Sequence, residues 1–122
     1  MGNLEIYRAF FVAFGAMEVL TNFRYLIRKN GIELARKQHQ ELPKDISDRQ
    51  MKAKVILMFA FGLLFLVNGL IAYCMRKVNF TYFIVTLSLF CLYALVESLY
   101  YRYWKTFGFF FLSAMVFLVF CI

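Results

Sequence analysis

The chain has 122 residues, of which 63% are hydrophobic, including 16 Phe and 8 Tyr. Its mean hydropathy of +0.68 excludes an ordinary soluble domain, because a chain this short could not bury so much apolar surface in a core of its own. The net charge of +7 would favour nucleic acid in a soluble chain, but here the basic residues flank apolar stretches and face phospholipid, so we expect no nucleic-acid partner.

The first predicted span covers about residues 4–27. An apolar helix of about 22 residues is roughly 33 Å long, which matches the hydrocarbon core of a bilayer. No basic stretch precedes the apolar run and no small-x-small cleavage motif follows it, so we expect a retained span and not a signal peptide. Its small residues Ala9, Ala13 and Ala16 share one face, which predicts close approach of a second helix there.

Residues 28–54 form a polar connector that could not lie inside a bilayer. The connector holds eight of the fourteen Lys and Arg residues, offset by four acidic residues. Asn30-Gly31 predicts the end of the first helix, and Ile32 to Leu42 predicts a weakly amphipathic helix that Pro43 breaks. We expect this short helix to lie along a leaflet of anionic phospholipid.

Three further apolar stretches are predicted to cross the membrane, at about 55–75, 80–99 and 106–122. Ser47 and Gln50 have the spacing of a capping box, which predicts that the helix of the second span begins in water near Ser47. Arg76 and Lys77 end this span, and Asn79 is placed to cap the third helix. Because the turn between them is short, the second and third spans are expected to be antiparallel neighbours.

The segment 100–105, between the third and fourth spans, is rich in aromatic and basic residues. Amphipathic rings and long cationic side chains settle at headgroup depth, so Arg102, Trp104 and Lys105 mark a membrane boundary. These cations fall on the same side of the membrane as the connector 28–54. The positive-inside rule therefore predicts a cytoplasmic connector, with both termini on the opposite side.

Glu18 lies near the middle of the first span, on one helical face with Thr21 and Asn22. A carboxylate at this depth is costly, so it should be protonated, hydrogen-bonded or paired. Two interpretations remain open. Glu18 is either satisfied by Thr21, Asn22 or a neighbouring helix, or it serves proton transport or partner binding.

Two more polar residues lie within the predicted spans. Asn68 is expected to make an interhelical hydrogen bond beside Gly69, where backbones approach closely. Glu97 is expected near the cytoplasmic interface, with an ion pair or hydrogen bond to Tyr101 or Arg102. Because Glu18 and Glu97 differ in predicted depth, they do not form a paired acid/base site.

The chain contains no Gly-rich phosphate loop and no GxSxG, HExxH or CxxC motif. Its three cysteines, Cys74, Cys91 and Cys121, are expected to be small packing residues. His39 has no metal-ligand spacing, and we expect it to be solvated. The sequence therefore predicts no enzyme activity, no metal and no cofactor.

The segment Glu18-Val19-Leu20-Thr21, in a short chain with four spans, resembles the surroundings of the coupling glutamate in the small multidrug resistance transporters. The resemblance implies proton exchange at Glu18. It extends to no other residue, because the chain has no equivalent of that family's third- and fourth-helix motifs, and it also departs from the family's very short loops by its long charged connector. The second half of the chain, from Glu97 through the belt to the last span, is similar in layout to uncharacterised four-span membrane proteins of low-GC Gram-positive bacteria. This likeness covers about a third of the chain and implies a bacterial plasma membrane.

We thus predict an all-α polytopic membrane protein, with a single membrane domain over 1–122, four transmembrane helices and one cytoplasmic connector. The predicted function is that of an accessory, regulatory or immunity-type subunit that works through helix packing in the membrane. The alternative is a homo-oligomeric, proton-coupled small-molecule transporter that uses Glu18. The expected partners are the lipid bilayer and either a second copy or another membrane protein.

Overall fold

A computed structural model describes residues 2–40, 42–77 and 80–121. The described residues form five helices and no strand: α1 (Gly2–Ile27), α2 (Gly31–Gln38), α3 (Asp48–Cys74), α4 (Phe80–Tyr101) and α5 (Trp104–Cys121). All but α2 are long and apolar enough to cross a membrane. The predicted all-α class with four transmembrane helices is confirmed, and the chain is a multi-pass membrane protein. The predicted cap Asn79 and the terminal Ile122 lie outside the described residues.

The helix α3 is central because three of its faces pack against other elements. Each face consists of residues that lie seven positions apart in the sequence. One face is fully buried in the cores: Met51, Met58, Phe65 and Ala72. The next face packs on α1 through Gly62 and Gly69. The third face meets α4 and consists of Lys54, Phe61 and Asn68. A seven-residue repeat is typical of helices that cross at a shallow angle, as in four-helix bundles.

Glycines bring the backbones of α1 and α3 into direct contact. A Cβ atom added at Gly15 would lie 2.4 Å from the backbone nitrogen of Leu66, and one added at Gly69 would lie 2.9 Å from that of Val12. No side chain larger than hydrogen fits at either position without a shift of backbone. The two helices run antiparallel, since the early part of α1 contacts the late part of α3.

The close approach falls on a different face of α1 from the predicted one. Ala9 and Ala13 are exposed, and Ala16 is half-buried. The expected contact through Ala9, Ala13 and Ala16 is therefore wrong, and Gly15 forms the close contact on α1 instead. The Gly15 face prevails because it also carries Phe11 and Glu18 towards the interior.

The predicted capping box at the start of α3 is confirmed. The Ser47 hydroxyl accepts a hydrogen bond from the backbone N–H of Gln50 at 3.1 Å, and the Gln50 side chain accepts one from the Ser47 N–H at 2.9 Å. The helix consequently starts at Asp48, about two turns before the apolar stretch begins at Val55. Lys54, which composition groups with the connector, is a helical residue, as the capping box predicts.

Two arginines end helices in the left-handed region of backbone space. Arg76 has φ 52° and Arg102 has φ 50°. After α3, the N–H of Arg76 donates to the Tyr73 carbonyl and the N–H of Lys77 donates to the Ala72 carbonyl, which is a Schellman motif. After α4, the N–H of Arg102 donates to the Ser98 carbonyl at 2.8 Å. These closures let α4 and α5 each reverse direction within a few residues.

The interior of the bundle is aromatic. Phe11, Phe65 and Phe83 are fully buried, and the rings of Phe11 and Phe83 stack with centroids 4.0 Å apart. Phe90 meets Phe65 edge to face at 5.5 Å and meets Phe109 of α5 at the same distance. Rings from all four spans therefore form one core, which fixes the depth of the polar groups described below.

The connector packs onto the end of the bundle and forms a second small core. Its buried apolar residues are Ala35, Leu42, Ile46, Met51 and Val55. The Tyr25 hydroxyl of α1 donates a hydrogen bond to the Gln38 side chain, which ties α2 to α1. The expected helix over 32–42 is shorter than predicted, since α2 ends at Gln38, and its residues Gly31 and Ala35 are buried.

Candidate functional site

The first buried polar group is the Glu18 cluster, which consists of Glu18, Asn22 and His39. The Asn22 amide donates to the Glu18 carboxylate at 2.8 Å and to the Glu18 carbonyl at 2.7 Å. The amide oxygen of Asn22 lies 3.0 Å from Nε2 of His39. Glu18, Asn22 and His39 are 5%, 0% and 4% exposed. The cluster therefore joins α1 to the connector through a continuous hydrogen-bonded path in a water-poor interior.

His39 is buried, contrary to the expectation that it would be solvated. The backbone N–H of His39 donates to the Ala35 carbonyl at 2.8 Å, so His39 continues the last turn of α2. Ile32, Ala35 and His39 have i, i+3, i+7 spacing, which places the imidazole on the same face as the apolar residues. The same spacing predicts that His39 is buried, once the amphipathic helix is placed against the end of the bundle.

The second buried group is the Lys54 cluster, which consists of Lys54, Glu97 and Tyr93. The Lys54 ammonium lies 3.0 Å and 3.1 Å from the two oxygens of Glu97, and the Tyr93 hydroxyl donates to Glu97 at 2.5 Å. The ammonium also lies 4.5 Å from the ring centroid of Phe109. Lys54 is 2% exposed and Glu97 is 7% exposed. This is a buried ion pair with a shared hydrogen-bond donor and an aromatic wall, and it links α3, α4 and α5.

Glu97 thus has a different partner from the ones expected for it. The sequence predicts Tyr101 or Arg102 as partner, because both are close to Glu97 along the chain at the predicted interface. The early start of α3 places Lys54 on the helix face that meets α4. Lys54, which composition groups with the solvated connector, is in fact a buried partner of Glu97.

Asn68 makes the predicted interhelical hydrogen bond. Its amide donates to the Thr86 hydroxyl of α4 at 2.5 Å, and that hydroxyl donates to the Tyr82 carbonyl at 2.8 Å. Thr21 lies apart from the Glu18 cluster, because its hydroxyl donates to the Met17 carbonyl of its own helix. The structure therefore brings Asn22, and not Thr21, together with Glu18.

The belt residues lie where α4 gives way to α5. Trp104 is 71% exposed, and the Lys105 ammonium lies 5.4 Å from its ring centroid. Arg102 is exposed at the helix end. These positions suit the interfacial role that the sequence predicts for all three residues.

A groove opens on the side of the bundle between α1 and α5. At one end the two helices touch, because the Tyr7 hydroxyl donates to the Val116 carbonyl at 3.3 Å and the Tyr7 ring lies 4.7 Å from that of Phe120. Beyond that contact they leave a space of about 270 Å³, the α1–α5 groove. Its walls and floor are almost wholly apolar: Phe10, Phe14, Phe65, Leu87, Phe90, Phe109, Leu112, Ser113 and Val116.

These features define a class of protein: a small multi-pass helical bundle with two buried polar clusters near its connector end and an apolar groove in its side. Within the described ranges, no group of three or more His, Cys, Asp or Glu residues could hold a metal ion. The chain matches no protein-family model, no curated protein and no solved structure. What the chain does must therefore be inferred from its own geometry.

Proposed function

We propose that this chain is an accessory subunit, of a regulatory or immunity type, that binds a transmembrane helix of a different membrane protein in the α1–α5 groove. The observation that carries the proposal is the groove itself. α1 and α5 are the outer helices, with 22% and 17% of their spans buried, against 39% for each of α3 and α4. Beyond the Tyr7 contact, the space between these two outer helices is large enough to receive side chains of one more helix that packs along them.

The placement of the polar side chains supports this proposal. Glu18 and Asn22, which the sequence favoured for partner contact, bond to each other inside the bundle. Lys54, Glu97 and Asn68 likewise have partners on neighbouring helices or in their own bundle. The groove therefore offers shape and apolar contact, and a partner helix would be recognised by packing.

The surface of α5 beside the groove also favours a helix as occupant. A Cβ atom added at Gly108 meets nothing within 4 Å, so the backbone there is open to close approach. Gly108 lies one turn before Leu112, a groove residue, and therefore on the same face. Small residues at such points are typical of helix–helix contacts in membranes.

Site-specific photocrosslinking tests the proposal in native membranes. A photoreactive phenylalanine at Leu112, in the groove, should crosslink to a different membrane protein. The matched control is the same probe at Leu92, which is exposed on α4 away from the groove and should give no such product. Filling the groove edge with Gly108→Leu should remove the Leu112 product. Equal products from Leu112 and Leu92, or a Leu112 product insensitive to Gly108→Leu, would contradict the proposal.

A second candidate is a homo-oligomeric, proton-coupled transporter, and one observation favours it. His39 lines a cleft at the connector end and bonds to Asn22, which bonds to Glu18, so a hydrogen-bonded path connects the cleft to a buried carboxylate. The crosslinking experiment separates the two candidates. A transporter of this kind gives a crosslinked product of twice the 14.5 kDa chain mass, whereas an accessory subunit gives a product whose mass depends on its partner.

A further inference from the structure

A cleft of about 340 Å³ lies between the connector and the start of α5. Four cationic side chains line it: Arg36, Lys37, Lys44 and Lys105. The buried residues Leu42 and Met51 contribute apolar surface to it. Its volume is within the range of sites that hold small ligands.

The charge of the cleft favours an anion. Among the described residues that line it, none carries a carboxylate. Asp48 lies at its edge and pairs with Arg36 at 2.7 Å, while a second nitrogen of Arg36 donates to the Lys44 carbonyl at 3.4 Å. These two bonds hold the guanidinium in place, and its fork of five N–H donors exceeds what they use. A concave site that is lined by cations and has apolar walls concentrates its electrostatic field on a bound anion.

The depth of the cleft identifies the source of that anion. Lys105 is a wall of the cleft and also part of the aromatic and basic belt, next to the exposed ring of Trp104. Such belts lie at the level of lipid headgroups. A phosphate held by Lys105 would therefore lie at the depth of phospholipid phosphates, and Leu42 and Met51 supply apolar surface in the same cleft.

We propose that this cleft is a specific binding site for the phosphate of an anionic phospholipid. The proposal is independent of the partner helix, since the α1–α5 groove and the cleft share no residue. It also differs from general attraction of a basic connector to the membrane. Lys105 comes from α5, far along the chain from residues 36–44, so the four cations converge only in the folded bundle.

The test compares variants of equal charge change in the full-length chain. Native mass spectrometry of the purified protein with added dioleoyl phosphatidylglycerol measures the dissociation constant of the first bound lipid. Lys105→Gln and Lys44→Gln should each weaken binding about fivefold, the usual effect of one cation near a phosphate surface. The matched control is Lys52→Gln, which removes an exposed lysine outside the cleft and should change binding less than about twofold.

If Lys105→Gln, Lys44→Gln and Lys52→Gln weaken lipid binding equally, the attraction is diffuse and the specific site is refuted. A competition experiment then separates a lipid from a soluble phosphate. If inorganic phosphate competes as strongly as phosphatidylglycerol itself, the ligand is a soluble phosphate and the lipid assignment fails. Circular dichroism shows whether each variant keeps its helix content, and Lys44, exposed in a loop, serves as the variant least coupled to folding.

Discussion

Lys54 and Glu97 illustrate how one residue determines the role of another inside the membrane. Each charge is almost fully removed from solvent, and the two carboxylate oxygens are shared by one ammonium and one phenol. Desolvation of two charges offsets most of the Coulombic gain, so the pair adds little net stability relative to apolar residues of similar size. Removal of one partner is different, because it leaves the other charge buried without its counterion.

This asymmetry gives a prediction at the residue scale. Lys54→Met should lower the free energy of unfolding in detergent by about 3 kcal/mol or more, because Glu97 loses its counterion. The double variant Lys54→Met/Glu97→Leu should recover most of that loss. Thermal or denaturant unfolding of the purified chain measures both.

The exposed pair Arg36–Asp48 is the control for this measurement. Its carboxylate side chain is 82% exposed, so Asp48→Asn should change the free energy of unfolding by less than about 1 kcal/mol. A Lys54→Met effect as small as that of Asp48→Asn would show that the Lys54–Glu97 pair does not form in the protein.

Single residues were predicted from the sequence with uneven success, for a physical reason. Asn68 was assigned correctly, because an amide within an apolar span has few options besides a neighbouring helix. His39 and Lys54 were misjudged because both lie in a stretch of solvated composition. Their burial depends on how the connector folds back on the bundle, and periodicity within one element does not report that.

At the scale of elements, the contact between α1 and α3 depends on glycine. A Cβ atom at Gly62 would lie 2.9 Å from the Cβ of Glu18 and 3.1 Å from the backbone nitrogen of Val19. The same contact lies at the base of the Glu18 side chain, which is 5% exposed. Close packing of α1 on α3 therefore occurs at the residue that carries the buried carboxylate.

Substitution of these glycines tests the interface. Gly62→Ala should destabilise the bundle by about 1–3 kcal/mol, because the added methyl group forces α1 away from α3. Gly108→Ala adds the same methyl group where nothing lies within 4 Å, and it should leave stability unchanged or raise it by up to about 1 kcal/mol. Unfolding temperatures of the two variants in the same detergent compare them directly, and equal values would contradict the α1–α3 geometry.

The sequence predicts which segments are helical better than it predicts which face of each helix makes contact. The capping box locates the start of α3 because its hydrogen bonds are local. The contact face of α1 is not local, since the Ala9 and Gly15 faces both carry small residues. Only the partner helix, with Gly62 opposite Gly15 and Gly69 opposite Val12, decides between them.

At the scale of the whole molecule, four crossings would put the start of α1 and the end of α5 on one side of the membrane and the connector on the other. We propose that the connector is cytoplasmic and that the membrane is a bacterial plasma membrane. The clustering of eight of the fourteen Lys and Arg residues in 28–54 supports this orientation. The orientation is predicted from the sequence alone. The Glu18 cluster, the Lys54 cluster and the cleft are recognised only in the folded chain.

Cysteine accessibility in intact cells tests the orientation. In a chain whose three native cysteines are replaced by serine, Ser47→Cys should react with a membrane-impermeant maleimide only after permeabilisation. Lys77→Cys, exposed at the opposite end of α3, should react without permeabilisation. The reverse labelling pattern would invert the topology.

The position of Glu18 has a consequence for how the protein is made. α1 is the least hydrophobic of the four spans, and its Glu18 side chain leaves the backbone at the contact with Gly62 of α3, a helix that is synthesised later. His39, which hydrogen-bonds to Asn22, the partner of the Glu18 carboxylate, also follows α1 along the chain. While the chain emerges from the ribosome, α1 therefore lacks the surface that shields its acid group. Its native surroundings exist only once α3 has followed it into the membrane, so the two helices reach their final state as a pair.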